Sequence, residues 1–347
     1  MKLMVLDGNS IVNRAYYGVG KARLLTTRQG LHTNAIYGFV TMLQKLLDQE
    51  KPDAVCAAFD RREPTFRHKA DAAYKANRKG MPEELAEQML PLKQVLDAMS
   101  VPCYELSGYE ADDLIGTISR KCEAAGWDCT IATGDRDSLQ LITAHTHVRL
   151  LTGGKGPDSD RCMTESTFRA EYGFDPIHMI DLKALAGDSS DNIPGVPGVG
   201  DGFAAKWINQ FGSLDGICEH ADEIGGKKGE SLRANIDQVK LNRKVNALVR
   251  DVDLGVDIED LTFGTVDVAQ IDALFKELEF GPRTKSRVLK TFNTGAKASN
   301  TSGAGESTNN EQNEQDSSLD LNLPEPTSIT APEQFDEWVK AHRVEVK

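Results

Sequence analysis

The chain has 347 residues, 39% of them hydrophobic, and its composition up to about residue 292 is that of an ordinary globular protein with ample length for a core. No run approaches the apolar length of a membrane span, and the first apolar run breaks at once into Asp7-Gly8, so neither a membrane anchor nor a signal peptide is expected. A formal net charge of −13 argues, at first sight, against a nucleic-acid partner.

In chain order, Lys2-Leu3-Met4-Val5-Leu6 predicts a buried strand running into Asp7, residues 34–50 a helix, and residues 54–60 a second strand ending at Asp60. A helix over 82–99 and a strand over 101–106 follow, then Gly108-Tyr109-Glu110-Ala111-Asp112-Asp113 leads into a helix over 111–125. The strand at 128–133 passes through Gly134 to Asp135 and Asp137. Such alternation argues βαβ units and an α/β fold with a mainly parallel central sheet flanked by helices, here over residues 1–163. Residues 61–80 differ in kind, with few large aliphatics, many bases and the aromatics Phe66 and Tyr74. They are expected to be a mobile insertion arching over the strand ends, with Pro82 restarting a helix.

From 164 to 292 the pattern is helical, with segments at 177–186, 201–211, 230–249 and 267–292 and a short helix bracketed by Thr164 and Tyr172-Gly173. Ile193-Pro194-Gly195-Val196-Pro197-Gly198-Val199-Gly200 reads as a glycine-rich hairpin whose following helix N-terminus offers amides to a phosphate. Residues 293–326 are rich in Asn, Ser, Thr, Gly, Glu and Gln and read as a disordered linker, and 327–347 as the incomplete start of a further domain. The six cysteines form no C-x-x-C pair, as expected of reduced thiols in a cytoplasmic protein.

The charge is unevenly placed. Residues 293–347 hold ten acids against four bases, whereas 61–79 hold seven Lys and Arg against two acids, as do 225–250. Nine acids, Asp7, Asp60, Glu110, Asp112, Asp113, Asp135, Asp137, Asp188 and Asp191, stand at strand ends or in adjacent Gly-Asp motifs. Ligands bind beyond the carboxyl ends of strands in open α/β sheets, and like charges crowded there oppose one another's ionisation unless cations intervene. Oxygen ligands in that number suit Mg²⁺ or Mn²⁺. Two basic segments beside a metal-binding rim favour a phosphate backbone as partner.

Six stretches in order carry a resemblance: Leu6-Asp7-Gly8-Asn9-Ser10, Phe59-Asp60, Tyr74-Lys75-Ala76-Asn77-Arg78, Gly108 to Asp113, Thr133-Gly134-Asp135-Arg136-Asp137 and Gly187-Asp188-Ser189-Ser190-Asp191-Asn192-Ile193-Pro194-Gly195. Over residues 1–292 the chain resembles the 5′-nuclease (5′-3′ exonuclease) domains of bacterial DNA polymerase I, in the flap endonuclease superfamily. The resemblance implies a PIN-like nuclease core followed by a helix–hairpin–helix region, and linker and tail resemble the junction to a proofreading-like domain. It implies that Asp7, Asp60, Glu110 and Asp112 hold one metal, and that Asp135, Asp137 and Asp191 surround a second, with Asp113 and Asp188 in supporting positions. Two or more Mg²⁺ ions are implied, with Mn²⁺ able to substitute. Lys75 and Arg78 would approach the scissile phosphate and Tyr74 would stack on a base. Phe66 and Arg67 belong to the same bridging region, and Arg14 would contact backbone phosphate.

Gly195, Gly198 and Gly200 would grip duplex through backbone amides, with K⁺ bound by hairpin carbonyls. Here the chain departs from the family pattern, because Asp201-Gly202-Phe203 follows Gly200 and the lysine is displaced to Lys206. The implied function is metal-dependent cleavage of DNA at 5′ ends, nicks and flaps, RNA primers included, by a monomer. Two other readings stay open: a non-catalytic DNA-structure-binding relative, and a strand-end-acid ribonuclease of the PIN type.

Overall fold

The computed structural model describes residues 1–20, 25–152 and 160–298. Its organising element is β1 (Lys2–Asp7), whose alternating side chains enter two different cores. Leu3 and Val5 pack with the helix α5 (Ala111–Ala124) on one face, while Met4 and Leu6 pack with α1 (Gly8–Gly20), α2 (Asn34–Glu50) and α4 (Glu83–Ala98) on the other. Burial on both faces explains why the strands read as near-continuous apolar runs rather than as alternating ones.

The sheet has the order β3-β2-β1-β4-β5-β6, with β2 (Ala54–Ala58), β3 (Cys103–Tyr104), β4 (Asp128–Thr133), β5 (Thr146–Leu150) and β6 (Arg161–Met163). All pairs are parallel except β5 with β6. The chain moves outward from β1 to β2 and β3, then returns to place β4 on the other side of β1. The strand order therefore reverses between β1 and β4, the switch point at which such sheets open a crevice at their carboxyl ends. The strand expected over 101–106 shrinks to two residues, since β3 is an edge strand with only β2 to bond.

Beyond β6 the chain is helical: α6 (Glu165–Tyr172), α7 (Met179–Ala186), α8 (Asp201–Phe211), α9 (Leu214–Glu219), α10 (Gly226–Ala234), α11 (Ile236–Asn246), α12 (Val268–Glu277) and α13 (Pro282–Ala298). Phe168, Leu182, Trp207, Leu232 and Val239 extend the α5-side core, while Ile271, Phe275, Val288 and Phe292 close the opposite face. Two expected helices are each divided. Asn235 separates α10 from α11, and Glu279, at φ 54°, with Gly281-Pro282 separates α12 from α13. Helix α13 also takes in residues 293–298, the first of the expected linker, because an established helix extends at little cost through weakly helical residues. The rest of that linker and 327–347 lie outside the described residues. All six cysteines are free, and among the described residues no helix is long and apolar enough to cross a membrane.

The basic segment 61–80 contains a short helix, α3 (Phe66–Ala70), and is pinned rather than loosely arched. Arg67 is 1% exposed. Its Nη1 and Nη2 each donate to one oxygen of Asp113 at 2.7 Å, its Nε donates to the Val245 carbonyl at 2.7 Å, and Nη2 also reaches the Ala247 carbonyl at 3.0 Å. Asp113, fully buried, also accepts from the Val249 and Glu110 amides. One ion pair thus ties α3, α5 and the end of α11 together. Arg67 is therefore enclosed rather than facing the cleft mouth as a nucleic-acid contact would, and Asp113, with both oxygens taken, sits behind Glu110 in a supporting position rather than as a direct ligand.

Removing one partner of a buried pair strands the other charge, which typically costs about 3–5 kcal/mol. Arg67→Ala is therefore expected to lower unfolding stability by about that amount in urea denaturation. A loss confined to DNA affinity at unchanged stability would contradict the assignment.

Candidate metal centre

The remaining carboxylates meet at the switch point, and each is delivered by a strand end or a helix start. Asp7 closes β1 and accepts from the Ser10 amide at 2.9 Å and the Thr133 hydroxyl at 2.6 Å. Asp60, two residues past β2, accepts from the Ala111 amide at 2.7 Å and Asn9 Nδ2 at 3.0 Å. Glu110 is the N-cap of α5 and Asp112 sits in its first turn, where the helix dipole favours negative charge. Asp135, just past β4, caps the 3₁₀ turn Arg136–Leu141 by accepting from the Asp137 amide at 2.9 Å. These acids, with Asp188 and Asp191, line one cleft of about 640 Å³.

Asp188 and Asp191 come from the far wall, a hairpin of β7 (Gly187–Asp188) and β8 (Ile193–Pro194). Its glycines are sterically required. A Cβ on Gly195 would lie 2.2 Å from the Ala186 carbonyl oxygen, and one on Gly187, at φ +79°, would lie 2.4 Å from the Gly195 nitrogen. Gly195 thus serves close packing, while Gly198 and Gly200 form the open turn before α8, on which Lys206 is exposed.

Burial raises the Asp7 carboxyl to about 7, with the charges of Asp135 and Asp60 adding to the effect. Asp112 is pushed well above the usual carboxylate range, by burial first and then by Asp7, Asp135 and Asp60. Asp135 rises too, through burial, although Lys183 opposes it. Asp60 opens to the cleft mouth, yet desolvation by its crowded neighbours still raises it. Asp188 goes the other way: burial would raise it, but Lys183 and Ser190 overcome this and hold it at about 2.

Desolvated, mutually repelling carboxylates with hard oxygen donors fit divalent cations, which would remove the repulsion that raises Asp7 and Asp112. Among the described residues, no three His, Cys, Asp or Glu side chains are already drawn into a finished metal shell. Side-chain cations of the protein stand among the acids instead. Lys75 Nζ lies 2.9 Å from Glu110 Oε2 and 3.9 Å from Asp191 Oδ2, and Arg78 pairs with Asp191 Oδ1. Lys183 pairs with Asp137 and, at 2.8 Å, with Asp188.

Lys75 and Arg78 line the cleft, as the sequence suggests. Tyr74 does not fit the stacking expected of it: it is 4% exposed, and its hydroxyl donates to Glu110 at 3.0 Å. Phe66 is half-buried, edge-on to Tyr109 and under the Arg67 guanidinium, so it serves packing. Arg14 spends one nitrogen on the Leu151 carbonyl at 2.7 Å. Sequence reasoning missed Lys183, which carries no motif of its own, and missed Asn9, which fixes Asp60 from β1's side; the Asp7-Gly8-Asn9 run was the available signal for the latter.

A family model described as the 5′-3′ exonuclease N-terminal resolvase-like domain matches residues 2–173, and one described as the 5′-3′ exonuclease C-terminal SAM fold matches residues 174–269. DNA polymerase I of Bacillus caldotenax is 41% identical over 280 residues, covering 80% of this chain and 31% of that protein. DNA polymerase I of Mycobacterium tuberculosis H37Rv is 43% identical over 278 residues, covering 80% and 30%. The chain thus spans less than a third of the length of these relatives. Among solved structures, a zinc-bound T5 5′-exonuclease aligns with TM-score 0.58 and 21% identity, over 84% of this chain and 99% of that one. A bacteriophage T5 flap endonuclease with DNA and metal ions aligns with TM-score 0.57 and 20% identity, over 84% and 100%. At these identities the structural likeness speaks for the fold.

Without metal, folded Asp7 keeps its proton up to about pH 7, while the unfolded carboxyl releases it near 3.8. Between those values the native state binds more protons, so stability falls as pH rises through the window. Urea denaturation in a chelator should therefore give a higher midpoint at pH 5 than at pH 7.5, and Asp7→Asn should flatten the difference. A midpoint that rises with pH and is indifferent to Asp7→Asn would refute the charge crowding.

Proposed function

The chain belongs to the 5′-3′ exonuclease family, and from that premise we propose that it hydrolyses DNA phosphodiesters at 5′ ends, nicks and flaps, in primer removal and nick processing. The observation that carries the reading is the convergence of Asp7, Asp60, Glu110, Asp112, Asp135, Asp137, Asp188 and Asp191 on one cleft that Lys75 and Arg78 also line. Asp7, Asp60, Glu110 and Asp112 would hold one divalent cation, and Asp135, Asp137, Asp188 and Asp191 a second. Mg²⁺ is the proposed ion, with Mn²⁺ as substitute. Bound there, such ions would activate water and offset the charge on the leaving oxygen of an in-line displacement.

The protein's own residues do the rest. Thr133 and Ser10 fix the rotamer of Asp7, and Asn9 fixes Asp60, so the carboxylates are held before substrate arrives. Lys75 and Arg78, now paired with Glu110 and Asp191, are placed to turn their charges to a phosphate as negative charge builds on it. Among the described residues no histidine lines the cleft, and a reaction of this kind needs neither a histidine base nor a covalent nucleophile. The open turn at Gly198 and Gly200 would lie against duplex backbone, with K⁺ as its proposed ion. RNA-containing 5′ ends are proposed as substrates, and a cytoplasmic monomer as the working form. Polymerase activity belongs to the longer relatives and is not assigned to these residues.

Asp135→Asn should slow cleavage of a labelled 5′-flap DNA in Mg²⁺ by at least about a hundredfold, as loss of a principal electrostatic element typically does. Flap binding in Ca²⁺ by anisotropy should change little. Undiminished turnover in this variant would sink the two-cation reading.

A further inference from the structure

Lys183 stands out because no step above uses it. It lies near the C-terminal end of α7, between Leu182, Ala184 and Leu185, all of which are core residues. Its side chain is 14% exposed, and it turns its ammonium into the cleft rather than to solvent. There it pairs at once with Asp137, from the 3₁₀ turn beyond β4, and with Asp188, from the β7–β8 hairpin. Both walls of the second half of the centre are thus joined through one side chain. The α7 C-terminus adds its own partial negative charge, which favours a cation there.

We propose that Lys183 is a built-in counter-ion that occupies the second cation position, so that loading a divalent ion there requires the ammonium to be displaced. Three observations support this. The two acids Lys183 bridges belong to the set assigned above to the second ion, and the inference rests on that assignment. Lys183 pairs with two carboxylates of that set at once, whereas among the described residues neither Asp7 nor Asp112 in the other half has an ion pair. A lysine also suits the task chemically: it is a point charge on a flexible four-carbon stem that can swing aside, whereas a guanidinium would hold a carboxylate in a two-pronged grip.

The consequence is an ordered centre. The half around Asp7 and Asp112 gains most from a divalent ion and fills first. The half around Asp137 and Asp188 is already neutralised in part, so its ion enters more weakly, and the displaced ammonium becomes free to meet a phosphate. The two halves then differ in affinity through a residue that need not touch either bound ion.

Titration calorimetry with Mn²⁺ alone, on the full chain stripped with chelator, tests this. The parent should bind in two steps, one tight and one weak. Lys183→Met should tighten the weak step by about tenfold and leave the tight step within twofold, because a partly buried ion pair no longer opposes entry. Lys183→Gln, which keeps a polar chain of similar reach, should do the same and serves if the Met variant folds poorly. Lys183→Arg, which keeps the charge, should hold the second step at least as weak as in the parent. An unchanged second step in both neutral variants would overturn the counter-ion role while leaving the two-cation reading intact. A parent that binds only one ion would overturn both. A raised KM for flap DNA with parental Mn²⁺ isotherms would make Lys183 a substrate contact instead, and would also overturn the proposal.

Discussion

Carboxylates taken out of water resist ionisation, and carboxylates crowded together resist it further. At the switch point between β1 and β4 this protein accepts both penalties, and much of the surrounding structure follows from how they are contained. Each acid is placed where the backbone supplies some compensation. Asp7 receives an amide and a hydroxyl, Asp60 the first amide of α5, Glu110 and Asp112 the positive end of α5, and Asp135 the amide of its own 3₁₀ turn. None of these is enough to bring Asp7 or Asp112 back to an ordinary carboxylate pKa. The residual charge is what gives the cleft its demand for cations.

That cluster needs a rigid frame, because a small displacement of any strand end would separate the acids. The frame is supplied on one side by the sheet and on the other by the Arg67–Asp113 pair, which joins the basic segment, α5 and the chain leaving α11 in one buried contact. The four hydrogen bonds that Arg67 donates and the four that Asp113 accepts form a nearly closed network, the condition under which a buried pair is tolerable at all. Lys75 and Arg78 follow Arg67 by eight and eleven residues in the same segment, so the same anchor fixes where that stretch begins. Stability and placement of the reactive charges share one origin.

The acids were legible in the sequence because the signal is local: an apolar run ending in Asp is visible without knowing which strands are neighbours. Strand order then brought together what the sequence had only aligned. Arg67 and Tyr74 were misread for the converse reason. A base and an aromatic in a basic segment look solvated, and only tertiary packing decides that Arg67 is buried against Asp113 and that the Tyr74 hydroxyl turns inward to Glu110. The long helical stretches at 230–249 and 267–292 were divided because Asn235 and Gly281-Pro282 are weak signals inside a strong period. Lys183 was invisible for a different reason: its meaning depends on Asp137 and Asp188, contributed by two separate elements, standing on either side of it.

The two halves of the cleft meet their charge by opposite means. Asp7 and Asp112 themselves are enclosed and have no ion pair among the described residues, although Glu110 beside them meets Lys75, so protonation is the protein's own way of relieving those two acids. Around Asp188 and Asp191 side-chain cations stand against the carboxylates, Lys183 on Asp188 and Arg78 on Asp191, with Lys75 shared between Glu110 and Asp191. A proton is removed by raising pH, whereas an ammonium or guanidinium leaves only if something more strongly cationic, or a more attractive anion, replaces its contact. The first half is therefore sensitive to acidity and the second to what binds. On the proposed function, a phosphate entering the cleft would compete with these carboxylates for the same cations and, in taking them, would leave the carboxylates open to a divalent ion.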